Sequence, residues 1–428
     1  MKKSLLASVT LAALLAPTAV FAEGYGIIEH HAEGVAMGGA AMFIENDAGN
    51  MAYNPAGITL CEGQQIKVSA TYISPHGYEK SEPLAPLALA GGKPENNRNR
   101  VHPAWAPGTY YVKKMDDKQW WGIGCFSRFG NMSEFEGGTL AATNNRLAKM
   151  QGLSITPTYA RQSGRKFYWA VGADINYVKL EMQKDFAYYD KLGLTPGTVP
   201  TGLNQIEGKT WSLGWNAGLR YAATKKDEFG FAYRSKIKHS MDADMNCYGA
   251  AFGPSSPFGP VHNSAYGKVT LPDSYHFGYS HRFDDRHRVE LSAIRTQWHN
   301  FKNLYMSFGQ PYLGKTGTNS IHNWKDTWRY AIGYEYKFSK KYTGMLGFAF
   351  DDDGIPADGG QFMVPVGIRR TYSAGLKYHD KRHTIALAIA WQKEGNQSFL
   401  GQGTDAYKSA HCYDSIAKIF SLGYTYHF

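Results

Sequence analysis

The sequence predicts an all-β fold: a transmembrane antiparallel β-barrel of about 14 strands with an N-terminal hatch inside it. Three observations lead there. From Gln64 onward, short polar turns alternate with long loops. The runs between them alternate apolar and polar residues with a period of two. The last run sets Phe420, Leu422, Tyr424, Tyr426 and the terminal Phe428 on one face.

The chain opens with a leader. Lys2 and Lys3 form a positive n-region, Leu5 to Leu15 an apolar run, and Val20-Phe21-Ala22 a small-residue cleavage site. Residues 1–22 therefore read as a signal peptide cleaved after Ala22, and the mature chain leaves the cytoplasm. Beyond it no run of about 18 apolar residues occurs, so no membrane-spanning helix is expected. Residues 23–62 read as the hatch. Gly34, Ala36, Gly38, Gly39, Ala40, Ala41, Ala48 and Gly49 crowd this stretch, which ends in Tyr53-Asn54-Pro55-Ala56-Gly57-Ile58. Side chains this small permit close backbone packing in a confined space.

Residues 63–428 read as the barrel. Short turns recur at Lys113–Lys118, Ser163–Arg165, Thr224–Asp227, His281–His287, Ser339–Lys341 and His379–Lys381. Long loops fall between them, near His76–Val101, Gly130–Gly152, Asp185–Gly208, Met241–Ala265, Lys302–Lys325, Asp352–Ile368 and Glu394–Asp414. Six turns and seven loops imply fourteen strands, an even number as in bacterial single-chain barrels. In Thr210–Ala223, one face carries Trp211, Leu213, Trp215, Leu219 and Tyr221, the other Ser212, Asn216 and Arg220. In Arg329–Lys337, Tyr330, Ile332, Tyr334 and Tyr336 oppose Arg329, Glu335 and Lys337. Charges opposite an aromatic stripe suit a polar lumen better than the core of a soluble sandwich.

Composition narrows the function. Tyr 29, Phe 22, Trp 10 and Gly 47 are high counts beside a negative mean hydropathy, as in barrels with aromatic girdles. The formal charge of +10 is scattered and carries no nucleic-acid motif, so no nucleic-acid partner is expected; basic loops facing an anionic membrane surface account for it. Cys61, Cys125, Cys247 and Cys412 lack CxxC spacing, so no metal is expected. Cys247 and Cys412 fall in loops on one side and are candidates for a disulfide, with free thiols as the alternative. His30-His31 reads as a polar hatch contact rather than a metal site, because adjacent side chains diverge. No G-x-S-x-G elbow or Ser-His-acid set stands out, which leaves an outer-membrane lipase or protease as the weakest reading.

The ordered motifs resemble one family. The run Glu29-His30-His31-Ala32-Glu33-Gly34, through Asp47-Ala48 to Asn54-Pro55-Ala56-Gly57, is similar to the N-terminal hatch of the FadL-type outer-membrane transporters of long-chain fatty acids, which include the TodX-like hydrocarbon importers. Tyr233-Arg234-Ser235-Lys236-Ile237-Lys238-His239, Leu271-Pro272-Asp273-Ser274, Trp324-Lys325-Asp326-Thr327 and Phe350-Asp351-Asp352-Asp353 also resemble family runs. The resemblance spans essentially the whole mature chain. It implies capture of hydrophobic cargo among the loops, passage to an interior pocket touched by the hatch N-terminus, and sideways release at a kinked third strand. The matching positions are Tyr25 as a pocket contact and Trp120–Phe129 as the third strand, with Gly122, Gly124 and Gly130 allowing the kink. The terminal aromatic strand resembles the signature read by the barrel assembly machinery.

The function expected is outer-membrane transport of hydrophobic compounds, above all long-chain fatty acids, without enzymatic activity or cofactor. Burying about a dozen methylenes at ~0.8 kcal/mol each contributes on the order of 10 kcal/mol, so an apolar pocket captures such a ligand without chemistry. Lumen-facing Arg220, Arg234 and Arg329 are candidates to meet a carboxylate, against the alternative that each pairs with an acid such as Glu29, Asp47 or Glu335. Asn54, Pro55, Ala56 and Gly57 are the candidate gate. Expected partners are the hydrophobic ligand, outer-membrane lipids and the assembly machinery, with the protein a monomer. The alternatives are an importer of aromatic or alkane hydrocarbons and a general diffusion porin.

Overall fold

The computed structural model describes residues 26–428 except 86–87, 89–92, 100–102, 187–201, 250–251, 257–258, 357–361, 363, 365–366 and 402–405. The signal peptide, Tyr25 and residues 187–201 of the expected Asp185–Gly208 loop therefore lie outside the described residues. Fourteen strands form one closed antiparallel ring. They are β1 (Gln64–Pro83), β2 (Glu95–Asn99 and Ala104–Lys114), β3 (Gln119–Phe126 and Gly130–Glu134), β4 (Leu147–Ser163) and β5 (Phe167–Phe186). Next come β6 (Gly202–Ala222), β7 (Asp227–Arg234 and Ile237–Tyr248), β8 (His262–Leu271 and Ser274–Arg282) and β9 (His287–Thr296 and Asn303–Tyr312). The ring ends with β10 (Lys315–Ile321 and Thr327–Lys337), β11 (Tyr342–Asp351), β12 (Arg369–His379), β13 (His383–Glu394 and Gln397–Leu400) and β14 (Tyr407–His427). Each strand pairs with its chain neighbours, and β14 closes on β1 with Gln65 opposite His427 and Thr71 opposite Ser421.

The period of two puts apolar side chains outside. Trp211, Leu213 and Trp215 are 57%, 75% and 53% exposed, whereas Arg220 and Asn216 on the same strand are buried. That exposure is what a lipid-facing surface requires. All six expected turns are present, but several expected long loops are paired backbone. Lys302–Lys325 is largely a hairpin, with Asn303 opposite Ile321, and Tyr248 still pairs with Leu203. Polar alternating residues continue the ladder there past the apolar band.

The ring interior holds residues 26–62. They form the short helix α1 (Ala32–Ala36), two 3₁₀ turns at Ala48–Ala52 and Pro55–Leu60, and connecting backbone, nearly all of it buried. The segment touches inward-facing groups around the circumference. Ala32 N donates to Ser69 Oγ on β1 at 3.1 Å, and Met42 N donates to Glu290 on β9 at 2.5 Å. Trp120 on β3 donates to Cys61 O at 3.0 Å, Arg329 on β10 to Gly38 O at 2.9 Å, and Ser373 on β12 to Ala36 O at 3.0 Å. Glycines in the strands make room for it: a Cβ on Gly218 would overlap Asn54, and one on Gly347 would overlap the Gly38 backbone.

Two sequence expectations need correction. Cys247 and Cys412 are free, because they belong to β7 and β14 on opposite sides of the ring. The third strand does not kink at Gly122 or Gly124, which pair regularly with Val112 and Tyr110 on β2 and lie beside Met51 of the interior segment. The break falls at Ser127-Arg128-Phe129, with Gly130 resuming the strand. Phe126 faces Ser154 and Gly130 faces Gln151, so three residues of β3 stand against two of β4. That is a bulge, and it reverses which side chains face inward.

Candidate functional site

The break in β3 leaves backbone groups that the wall does not pair, and the start of the interior segment takes them up. Ile27 N donates to Arg128 O at 2.9 Å, and Gly26 bridges Phe129. Across β4, a Cβ on Gly152 would overlap Phe129 O, so the strand bends inward over a glycine.

Behind this junction lies a cavity of about 40 Å³, lined by Gly26, Ile27, Ile28, His30, Ala52, Arg128, Phe129, Arg234, Pro272, Ser274, His276, Ile294 and Thr296. It has room for about three waters. The cavity is cationic. The Arg128 guanidinium is buried against the Asp174 carboxylate of β5. Arg234 is 2% exposed and donates Nη2 to Met51 O (2.6 Å) and Ala52 O (2.9 Å), while its Nε and Nη1 have no hydrogen-bond partner among the described residues. Burial, then the Arg234 charge, holds His30 well below the usual imidazole range, so it is neutral near pH 7. Two guanidiniums thus stand against one carboxylate.

The other two candidate arginines are committed to the framework. Arg220 Nε donates to Glu228 at 2.6 Å and Nη1 to Thr59 Oγ1 at 3.2 Å. Arg329 pairs with Asp351 at 2.5 Å and brackets Gly38. The acids that salt-bridge them, Glu228 and Asp351, come from neighbouring strands, and Arg329 also acts electrostatically on the buried Glu29 of the interior segment. Asp47 and Glu33 both bind the fully buried Lys67 of β1, with Asp47 at 2.7 Å, and Glu335 binds Arg288. His31, Glu33 and Asp47 hold ligand-type atoms within 4.8 Å of one another, but the Lys67 ammonium sits among them as the cation. His31 caps α1 through Nδ1.

Asn54 fixes the end of the interior segment. Its Oδ1 accepts from Ala56 N at 3.0 Å, and its Nδ2 donates to Leu219 O on β6 at 3.0 Å. Pro55 starts the 3₁₀ turn at its first position, where a missing N–H costs nothing. A Cβ on Gly57 would meet Met42 O at 2.8 Å. Sequence reasoning did not find Lys67, Asp174 or His276, because each is a single inward residue of an ordinary strand, nor Arg128, which lies in the β3 break; their meeting depends on barrel register.

On the loop side of the β3 break an apolar cluster fills the interior. Phe129 joins Met150, Val178, Met241, Leu271, Trp298, Phe301, Trp324 and Ile355. Trp324 stands with its ring centre 5.1 Å from Trp298 and 5.0 Å from Phe301. Apolar surface thus runs from beneath the loops to the cavity.

The model of the outer membrane protein transport protein family (OMPP1/FadL/TodX) matches residues 13–428. The chain belongs to the FadL/TodX family. It is an outer-membrane transport protein and not an enzyme. Among FadL/TodX relatives, the long-chain fatty acid transport protein of Escherichia coli strain K12 is 25% identical over 460 residues, covering 98% of each chain. Outer membrane protein P1 of Haemophilus influenzae is 26% identical over 414 residues, covering 88% of this chain and 87% of that one. A Pseudomonas aeruginosa FadL homologue superposes with a TM-score of 0.83 at 18% identity, over 94% of this chain and 99% of that one. The Pseudomonas putida toluene transporter TodX superposes with a TM-score of 0.68 at 16% identity, over 95% and 100%. The FadL/TodX barrel is therefore the fold of this chain.

Proposed function

We propose that this FadL/TodX transporter of hydrophobic compounds carries long-chain fatty acids, and that residues 23–62 act as its hatch. Cargo enters over the apolar cluster beneath the loops and reaches the cavity behind the β3 break. There the carboxylate meets Arg234, with Arg128 beside it. The observation that carries this reading is Arg234, a buried guanidinium with two groups unpartnered among the described residues, facing a cavity at the end of an apolar path. A hydrocarbon has no group to occupy it. The E. coli relative named for long-chain fatty acid transport supports the same reading.

The hatch acts as a gate because the cavity of about 40 Å³ is far below the roughly 300 Å³ of an ordinary ligand site. Admitting an alkyl chain requires Gly26–Ile28 to leave the β3 break, which also uncovers the wall at that point. A general diffusion porin is disfavoured because the interior segment fills the lumen. Transport of aromatic hydrocarbons draws support from the ring-lined entrance at Trp298, Phe301 and Trp324 and from the likeness to toluene transporters.

Arg234→Met tests the assignment. A hydrogen bond to a charged group contributes about 1.5–3 kcal/mol, so fatty-acid affinity falls roughly ten- to hundredfold. Uptake of toluene, measured in the same cells, stays unchanged. Unaltered fatty-acid binding by the folded variant would refute the carboxylate role.

A further inference from the structure

The outer surface of β7 and β8 carries a feature that cargo transport does not use. From Asp227 the outward residues of β7 are apolar up to Tyr233, whose ring lies 4.9 Å from Trp215 on β6 and 5.0 Å from Tyr275 on β8. Arg234 and Ser235 are then both buried, and Ser235 Oγ accepts from Trp215 N at 2.8 Å. Two consecutive inward residues shift the alternation, so Lys236 and Lys238 become the exposed ones. Lys236 stands about ten residues from the turn, which is the length a tilted strand needs to cross the hydrocarbon, roughly 9–11. The aromatic trio marks the interface, and the lysines sit just beyond it on the loop side, which faces outward in such barrels.

A third lysine joins them. Lys238 pairs with Thr270 on β8 and Ser240 with Lys268, so Lys238 and Lys268 are diagonal neighbours on one face, about 7–8 Å apart at the backbone. Lys268 is exposed, with its ammonium 5.4 Å from the Tyr266 ring centre. Among the described residues Lys236 reaches only the amide oxygen of Asn300, at 3.5 Å. No described carboxylate pairs with any of the three. Nearby Asp273 is buried and held by Asn300 (2.8 Å) and the Tyr233 hydroxyl (3.4 Å); the exposed Asp242, opposite Tyr266, is the diagonal neighbour of Lys268 on its loop side and makes no ion pair with it. Three ammoniums without an ion-pair partner among the described residues are thus held at headgroup level beside the hydroxyls of Ser240 and Thr270, above rings suited to acyl chains.

We propose that Lys236, Lys238 and Lys268 form a binding site for the phosphorylated headgroup of an outer-leaflet glycolipid. Phosphate oxygens accept from several ammoniums at once, and lysine serves as a point-charge partner for them. The acyl chains of the same lipid lie along Trp215, Tyr233 and Tyr275. The site rests on the outer-membrane placement alone and is independent of which cargo is carried.

The test titrates the purified full-length protein in neutral detergent with lipid A and with dephosphorylated lipid A, and counts bound lipid by native mass spectrometry. The phosphorylated form binds at least tenfold more tightly. The combined variant Lys236→Gln, Lys238→Gln and Lys268→Gln loses on the order of a hundredfold in that affinity. Lys225→Gln with Lys226→Gln, on the opposite rim, retains it. Equal binding of the two lipids to the unsubstituted protein overturns the proposal whether or not the variants fold. Equal loss in both variants overturns it as well, since the charge would then act without location. Full displacement of lipid A by inorganic phosphate would reassign the patch to a free anion.

Discussion

Lys67 is the charge on which the interior segment most depends. It is fully buried on β1 and binds Glu33 and Asp47, which lie before it in the chain and on the segment itself. Removing one member of a buried ion cluster leaves the others uncompensated and costs about 3–5 kcal/mol. Lys67→Met therefore loosens the segment while the strand pairing persists. Planar-bilayer recordings are expected to show intermittent conductance in this variant, and a silent variant would contradict the role. Arginine candidates were legible as inward charges from alternation alone, since Arg220 and Arg329 oppose aromatic stripes. Their partners were not. Glu228 and Asp351 reach them across strand pairs whose register no local pattern specifies. Arg234 differs from both by having carbonyls of the interior segment for partners and no hydrogen-bonded acid among the described residues, a distinction visible only once the chain is folded.

At the scale of elements, the β3 break and the strand glycines divide the work between them. The break offers Arg128 O and Phe129 to the start of the segment, and the glycines let the rest of it lie against the wall. Gly347 shows the second role most simply. Gly38 has φ +64 and lies against the β11 backbone where a Cβ on Gly347 would stand. Gly347→Val is expected to raise the chymotrypsin sensitivity of residues 26–62, which hold Phe43, Tyr53 and Leu60 but no lysine or arginine, in folded protein and to lower fatty-acid uptake, with the heat-modifiable gel shift of the barrel kept. Protease resistance equal to the unsubstituted protein would remove this role. Glycines were readable in the sequence but not their purpose, because a strand glycine that bends and one that yields space look alike. Gly122 and Gly124 belong to the second kind.

For the whole molecule, the strand count and the outward face followed from turn spacing and the period of two, which need no register to be read. The ring closes through β1 and β14, with Phe428 N donating to Gln64 O at 3.0 Å. Apart from the contacts of Gly26 and Ile27 with the β3 break, none of the wall pairing passes through residues 26–62, so a chain lacking 23–57 is expected to assemble into a folded barrel that conducts steadily and no longer imports fatty acid. Failure of that shortened chain to assemble would make the segment a scaffold first. Sequence separation adds a constraint of its own. The segment's ties to β1 run through Lys67, Ser69 and Gln65, all within about forty residues, while its ties to β9, β10 and β12 span hundreds. Short loops close at lower entropic cost than long ones. The occupant is thus expected to be moored to the first stave before the last is laid, the cask being raised around its contents rather than filled afterwards.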